Sequence, residues 1–327
     1  MRGRLPCIWW TRRATRRAEW GHGRPMALRN TAFMRVVNGV VRAPGVLRAM
    51  ARDRWARGRE PHYLSVCAIF KNEARYLEEW IQFHRGVGVS HFFLYDNEST
   101  DDPLTVLRPW IEMGVVTLVA WPGRAQQVRA YMHCLRNNWS ATRWLAFLDL
   151  DEFLFSPSQI DIRSILSRFE SSPALFVYWQ VFGSSGHVVR PSCPVVEAYN
   201  MRERAPRKPS GKSIVNPRFV RRMPNTHNFA LWIGTANDTS GTKLDYRSFF
   251  DDVAKMPCFD VLRINHYWSR SLEELAEKVE RGDAFFPDQP RELQEHLDRD
   301  KLFNEVEDVT ILPIWNKIRP RQPSDVV

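Results

Sequence analysis

The sequence predicts an α/β fold in which parallel strands are joined by helices, and three observations carry that prediction. From Tyr63 onward, short runs rich in β-branched and aromatic residues alternate with segments of helical periodicity, which is the pattern of βαβ units. The apolar runs are short enough to be buried strands and are bounded by turn residues. Finally, several of these runs end in acidic clusters, so carboxylates gather on one edge. Open α/β sheets bind their ligands beyond the carboxyl ends of their strands.

The elements follow in order. Tyr63 to Phe70 (YLSVCAIF) is the first strand, and Glu73 to Arg85 carries Leu77, Trp80 and Ile81 at helical spacing. His91 to Tyr95 is the second strand, and Pro103 suits the first turn of the next helix. Val115 to Trp121 is the third strand, Gln126 to Trp139 a helix, and Trp144 to Leu150 a fourth strand running into Asp149, Asp151 and Glu152. A helix near Asp161 to Phe169 and a strand near Leu175 to Phe182 follow. The polar stretch from Gly183 to Gly241 is expected to form acceptor loops and lids. A last helix, Ser271 to Arg281, opens on a capping box of Ser271 and Glu274. There is no internal repeat.

At 327 residues, with 44% apolar and 26% charged residues, the chain can bury a large core. No run approaches the ~18 apolar residues of a spanning helix. The net charge of +10 is uneven: residues 1–60 hold 15 Arg against Glu19, Asp53 and Glu60, so the arm carries +12 and the remainder −2. A near-neutral body lacks the basic face that duplex nucleic acid needs. The arm reads either as a disordered tail, even as residues upstream of a later start at Met26 or Met34, or as a peripheral contact with anionic membrane aided by a weakly amphipathic Met34 to Met50. Five widely spaced cysteines, odd in number and without a C-x-x-C pair, argue against disulfides and zinc and fit a reducing cytoplasm.

Asp149-Leu150-Asp151 is the most informative triplet. On a strand its two carboxylates would share a face while Leu150 packs inward. Their repulsion is relieved by a hard divalent cation, Mn2+ or Mg2+, that also bridges phosphate oxygens. Lys71-Asn72-Glu73 follows the first strand, where Asn72 could equally cap the helix. The run from Tyr95 through Asp96 to Asp101 follows the second strand with the same ambiguity.

The blocks FKNEARYLEEWIQFH, FFLYDNESTDD, QVRAYMHC, WLAFLDLDEFL, FGSSGH, KSIVNPR and INHYWSRSLEELAEKVERGDA, in that order between Tyr63 and Ala284, resemble the family-92 and related family-2 glycosyltransferases. That resemblance implies a GT-A fold, a Rossmann-like nucleotide-sugar-binding mixed sheet flanked by helices, over 61–290. It leaves 1–60 as a basic, disordered extension and 291–327 as a tail or helical extension. It also implies a nucleoside-diphosphate sugar donor, such as a UDP-sugar, a glycan, lipid or other hydroxyl acceptor, and inversion at the anomeric carbon. In its terms Lys71, Asn72 and Glu73 hold the nucleoside and Asp96 meets the base. Asp149 faces ribose and metal, Asp151 ligates the metal directly, and His266 supplies a late ligand. Lys212 and Arg218 are expected near the leaving diphosphate, with Gln127 and Arg129 as further candidates for the same pocket. The segment from Trp179 to His187 lacks the acid that the family-2 pattern uses as a base, which leaves Glu152 first and His187 and Glu197 after it. The competing readings are a sugar nucleotidyltransferase, disfavoured by the missing Gly-rich phosphate loop, and a polyanion-binding protein led by its Arg-rich arm.

Overall fold

The computed structural model describes residues 31–207, 209–244, 257–282 and 292–320, with 31–41 as helical backbone. The arm as far as Asn30, the expected domain end at 283–290 and residues 321–327 lie outside the described residues. Residues 1–41 form one unit and 42–327 a second.

Helix α1 (Thr31–Ala56) leads into β1 (His62–Phe70), α2 (Ala74–Gly86), β2 (His91–Asp96), α3 (Pro103–Glu112), β3 (Val116–Ala120), α4 (Gln127–Asn138) and β4 (Thr142–Phe147). Then come β5 (Glu152–Phe155), α5 (Arg163–Leu166), β6 (Ala174–Phe182), α6 (Val195–Ala198), β7 (Met201–Arg202) and β8 (Gly211–Val215). The chain closes with β9 (Val220–Arg222), β10 (Ala230–Leu231), β11 (Ala236–Asp238), β12 (Arg263–Tyr267), α7 (Leu272–Arg281), α8 (Leu293–Leu302), β13 (Val306–Glu307) and α9 (Leu312–Ile318).

The mixed sheet flanked by helices is present. Its order is β13-β7-β6-β8-β4-β1-β2-β3, with β4, β1, β2 and β3 parallel and β8 antiparallel to both β4 and β6. Strand alternation explains the layers. Leu64, Val66, Ala68 and Phe70 of β1 face one way and pack with Leu77, Trp80 and Ile81 of α2 and Leu107 of α3. Cys67 faces the other way, with Ala130, Tyr131 and Cys134 of α4. Register sets Phe70 beside Asp96 and Cys67 beside Phe147, so the loops after the parallel strands open on one edge.

Two expectations need correction. The fourth strand ends at Phe147, and Asp149 to Asp151 lies on a turn rather than on a strand face. The stretch read as acceptor loops contains β8, whose five residues are all buried in mid-sheet. Gly211 opens it because a Cβ there would lie 2.0 Å from the Val177 carbonyl oxygen. Ala49, Asp53 and Ala56 of α1 are buried, and the second unit begins at Arg42. In the carboxyl-terminal segment β13 extends the sheet beside β7, and Ile314 and Trp315 of α9 join the core.

Candidate active site

The acidic turn is assembled from the chain outward. Leu148 and Leu150 are buried in the core and anchor it on both sides of Asp149. The Glu152 N–H donates to the Asp149 carbonyl at 3.1 Å, closing the turn, and the Glu152 carboxylate accepts from the Asp149 N–H at 3.1 Å. Two further bonds pin it from the later half of the chain. Tyr267 N–H donates to the Asp151 carbonyl at 2.8 Å, and Arg270 donates to the Leu150 carbonyl at 3.0 Å. The register of β12 sets His266 opposite Glu152.

Each carboxylate has its own environment. Asp149 accepts from Gln127 at 2.8 Å, from the Tyr131 hydroxyl at 3.2 Å and from Lys212 at 2.8 Å. Asp151 accepts from Lys278 at 2.9 Å and lies 3.6 Å from His266 Nε2. Glu152 is wholly buried, with Lys212 Nζ 3.6 Å from Oε1. Burial pushes all three carboxyls up, and the neighbouring cations decide the outcome. Lys278 and His266 outweigh burial at Asp151 and hold it well below the usual carboxylate range. Lys212 does the same more modestly for Asp149. Burial wins at Glu152, whose carboxyl is raised well above its ordinary value despite Lys212. Burial disfavours the charged form of Lys212, yet Asp149 and Glu152 push its ammonium up to about 12.

Across a cleft of about 520 Å³, Asn72, Glu73 and Tyr76 face Asp151, Arg270, Lys278 and Arg281. Asn72, in the left-handed region at φ 56°, does not cap α2. Its Oδ1 accepts from Thr100 N–H at 2.8 Å and its own N–H donates to Ser99 Oγ at 3.0 Å, which ties the loop after β1 to the loop after β2. Asp96 serves that second loop by accepting from Ser99 N–H at 3.0 Å. Glu73 lies 3.5 Å from Arg270, and the Lys71 carbonyl accepts from Arg281 at 2.9 Å.

Asp149, Asp151, Glu152, Gln127, Lys212 and His266 therefore meet, with Lys71, Asn72, Glu73 and Asp96 along the same edge. Arg218 does not join them. It is buried against Glu60 at 2.6 Å and Asn216 at 3.3 Å, near Asp53 and Arg143 at the other end of β4. Antiparallel β8 makes this unavoidable: Lys212 stands at its beginning and Arg218 beyond its end, so they serve opposite edges. Arg129 is exposed on α4. Glu197 accepts from the Trp315 indole at 2.7 Å and His187 contacts the Ala198 carbonyl at 3.1 Å, so both serve packing elsewhere. Glu152 has no exposed surface. Tyr131, Lys278 and Arg270 went unnoticed in the sequence. Only the i, i+3 spacing of Glu274 before Glu277 and Lys278 before Arg281 marks α7 as having a charged, cleft-facing side.

Among curated relatives, a glycosyltransferase family 92 protein of Ricinus communis is 30% identical over 179 residues, which is 53% of this chain and 32% of that protein. One from Oryza sativa subsp. japonica is 34% identical over 163 residues, covering 49% and 28%. A galactan beta-1,4-galactosyltransferase of Arabidopsis thaliana is 34% identical over 105 residues, covering 29% and 20%. The chain thus spans about a third or less of the length of the curated relatives it matches. Among solved structures, Staphylococcus aureus TarS in complex with UDP matches at a TM-score of 0.32 and 14% identity, over 40% of this chain and 38% of that one, too distant to bear on the site. The family model for glycosyltransferase family 92 matches residues 60–260, more than half of the chain and every strand bordering the acidic turn except β12, and this chain belongs to that family.

Proposed function

We propose that this chain transfers a sugar from a nucleoside-diphosphate sugar, a UDP-sugar in the first instance, to a hydroxyl of a glycan acceptor, with inversion at the anomeric carbon. The observation that carries the reading is the acidic turn at the carboxyl edge of the parallel strands. It brings Asp149, Asp151 and Glu152 together beside a cleft lined by Arg270, Lys278 and Arg281. The relatives named as galactan galactosyltransferases make a galactosyl donor the first to test.

The residues present suit a divalent cation, Mn2+ or Mg2+. Asp151, Glu152 and His266 each offer one ligand atom within 4.8 Å of the others, and two carboxylates with an imidazole form a donor set for such ions. Glu152 Oε1 and His266 Nδ1 are buried without a hydrogen-bond partner, which a ligand role would relieve. Asp149 is not in that group, and Lys212, Gln127 and Tyr131 engage its oxygens. The cation would neutralise charge developing on the departing diphosphate. Lys278 and Arg270 stand at the same cleft to share that task, and Lys212 keeps Asp149 ionised while the two lysines balance the cluster before donor arrives. Glu152, wholly buried, is placed as a ligand in this set rather than as the base.

Thermal shift with a panel of nucleoside diphosphates and their sugars, with and without Mn2+, tests the proposal. A ligand at ~100 times its dissociation constant adds roughly 2.7 kcal/mol. A shift for UDP or a UDP-sugar that depends on the cation is expected, and no response to any nucleotide would contradict it.

A further inference from the structure

From Arg42 to Ala56, helix α1 is fastened to the rest of its unit along one side and exposed along the other. Ala49, Asp53 and Ala56 are buried at helical spacing. The Asp53 carboxylate accepts from Arg143 at 2.8 Å and Asn216 at 2.9 Å. On the outer side Leu47, Met50 and Trp55 are 66%, 53% and 56% exposed. At 100° per residue Leu47 and Ala51 point away from the buried side, with Arg54 and Met50 on one flank and Trp55 and Arg48 on the other. The Trp55 ring packs at 5.8 Å from Trp139, over which Arg52 lies at 4.6 Å.

The charge on this face has one sign. Between Arg42 and Arg59 stand six arginines and one acid, Asp53, and that acid is buried and pairs with Arg57 at 2.6 Å as well as with Arg143, so Arg48 and Arg54 are the cations that flank the apolar side chains. Large apolar side chains on the outside of a fastened helix, ringed by arginines, match an interface with apolar depth beneath an anionic surface. We propose that this face of α1 docks the protein on an anionic lipid bilayer, with Leu47, Met50 and Trp55 entering the headgroup boundary and the arginines meeting lipid phosphates. A polynucleotide would attract the arginines but has no apolar layer to receive Leu47 and Met50. A second copy of the chain would set like charges against each other. The surface is independent of the transferase reading: Asp53 grips Arg143 at the start of β4, while the acidic turn follows the end of that six-residue strand, about 20 Å away.

Cosedimentation of the full chain with vesicles of phosphatidylcholine alone, or with phosphatidylglycerol added, tests the proposal. Wild type is expected to partition onto the anionic vesicles and to be weakened by salt. Leu47→Ser/Met50→Ser keeps every charge, and it should bind those vesicles about tenfold more weakly with unchanged circular dichroism and melting temperature. Arg48→Gln/Arg54→Gln should lose most of the preference for phosphatidylglycerol. Equal binding by wild type and the Leu47→Ser/Met50→Ser variant would assign adsorption to the other arginines and overturn the proposal. So would binding to duplex DNA or heparin without binding to vesicles, or a solution dimer that the apolar substitutions dissociate.

Discussion

His266 lies against the Trp179 ring, 4.5 Å between centroids, with Nε2 3.6 Å from Asp151 and Nδ1 buried and unpartnered. A histidine among aromatic rings is ordinarily a packing residue, but a packing histidine finds a partner for each ring nitrogen. His266→Asn should therefore raise the Mn2+ concentration needed for donor turnover and leave the cation-free melting temperature nearly unchanged. Lost stability with unaltered metal dependence would make His266 a core residue. Lys212 is the complementary case, since its buried ammonium balances Asp149 and Glu152. Lys212→Met leaves those carboxylates without their cation, which costs ~3 kcal/mol or more for a broken buried pair. In that variant a chelator should depress the melting temperature further than in wild type, and an equal response in the two proteins would remove the cation from the cluster.

At the scale of elements, α2 is held to β5 through His84. Its Nδ1 bonds to the Trp80 carbonyl at 2.8 Å and its Nε2 accepts from Leu154 N–H at 3.2 Å, so the ring is neutral and protonation would cost that acceptor. Burial lowers its pKa to about 3, against ~6.5 in an unfolded chain. The unfolded chain takes up the proton first, so stability present at neutral pH is lost as pH falls below ~6.5, by up to ~1.4 kcal/mol per pH unit until about 3. His91, lowered to about 4 mainly by burial, acts in the same direction. Urea midpoints from about pH 7 to about pH 5 should fall less steeply in His84→Gln, whereas parallel slopes would contradict this account. The same scale explains what the sequence revealed. The first three parallel strands were legible within a residue or two because their residues are apolar almost throughout, and the Ser271–Glu274 box marked α7 correctly. Strand β8 was not legible, because Lys212 and Ser213 read as loop residues until partners distant in sequence, Asp149 and the His227 carbonyl, receive them. The turn at Asp149 was hidden for the opposite reason: Leu148 and Leu150 continue the apolar pattern of β4 beyond its last paired residue.

Across the whole molecule, charge is neutralised at both ends of β4 by residues far apart in sequence. At one end Asp53, Glu60, Arg143 and Arg218 join α1 to the sheet, which composition alone assigned to a tail. Asp53→Asn should lower stability by ~3 kcal/mol by leaving Arg143 short of its partner, with donor binding intact, and a neutral substitution would return α1 to the status of an appendage. At the other end Asp149, Asp151 and Glu152 meet Lys212 and Lys278 in the proposed reaction centre, whose central residue is Asp151. Its most direct test is the rate of sugar transfer or donor hydrolysis by Asp151→Asn as Mn2+ is titrated. Removing the charge while keeping the shape should slow the reaction by orders of magnitude at every Mn2+ concentration, since each 1.36 kcal/mol is about tenfold in rate, and should leave the fold intact. Wild-type turnover by this variant, or wild-type activity that persists in excess chelator, would contradict the account.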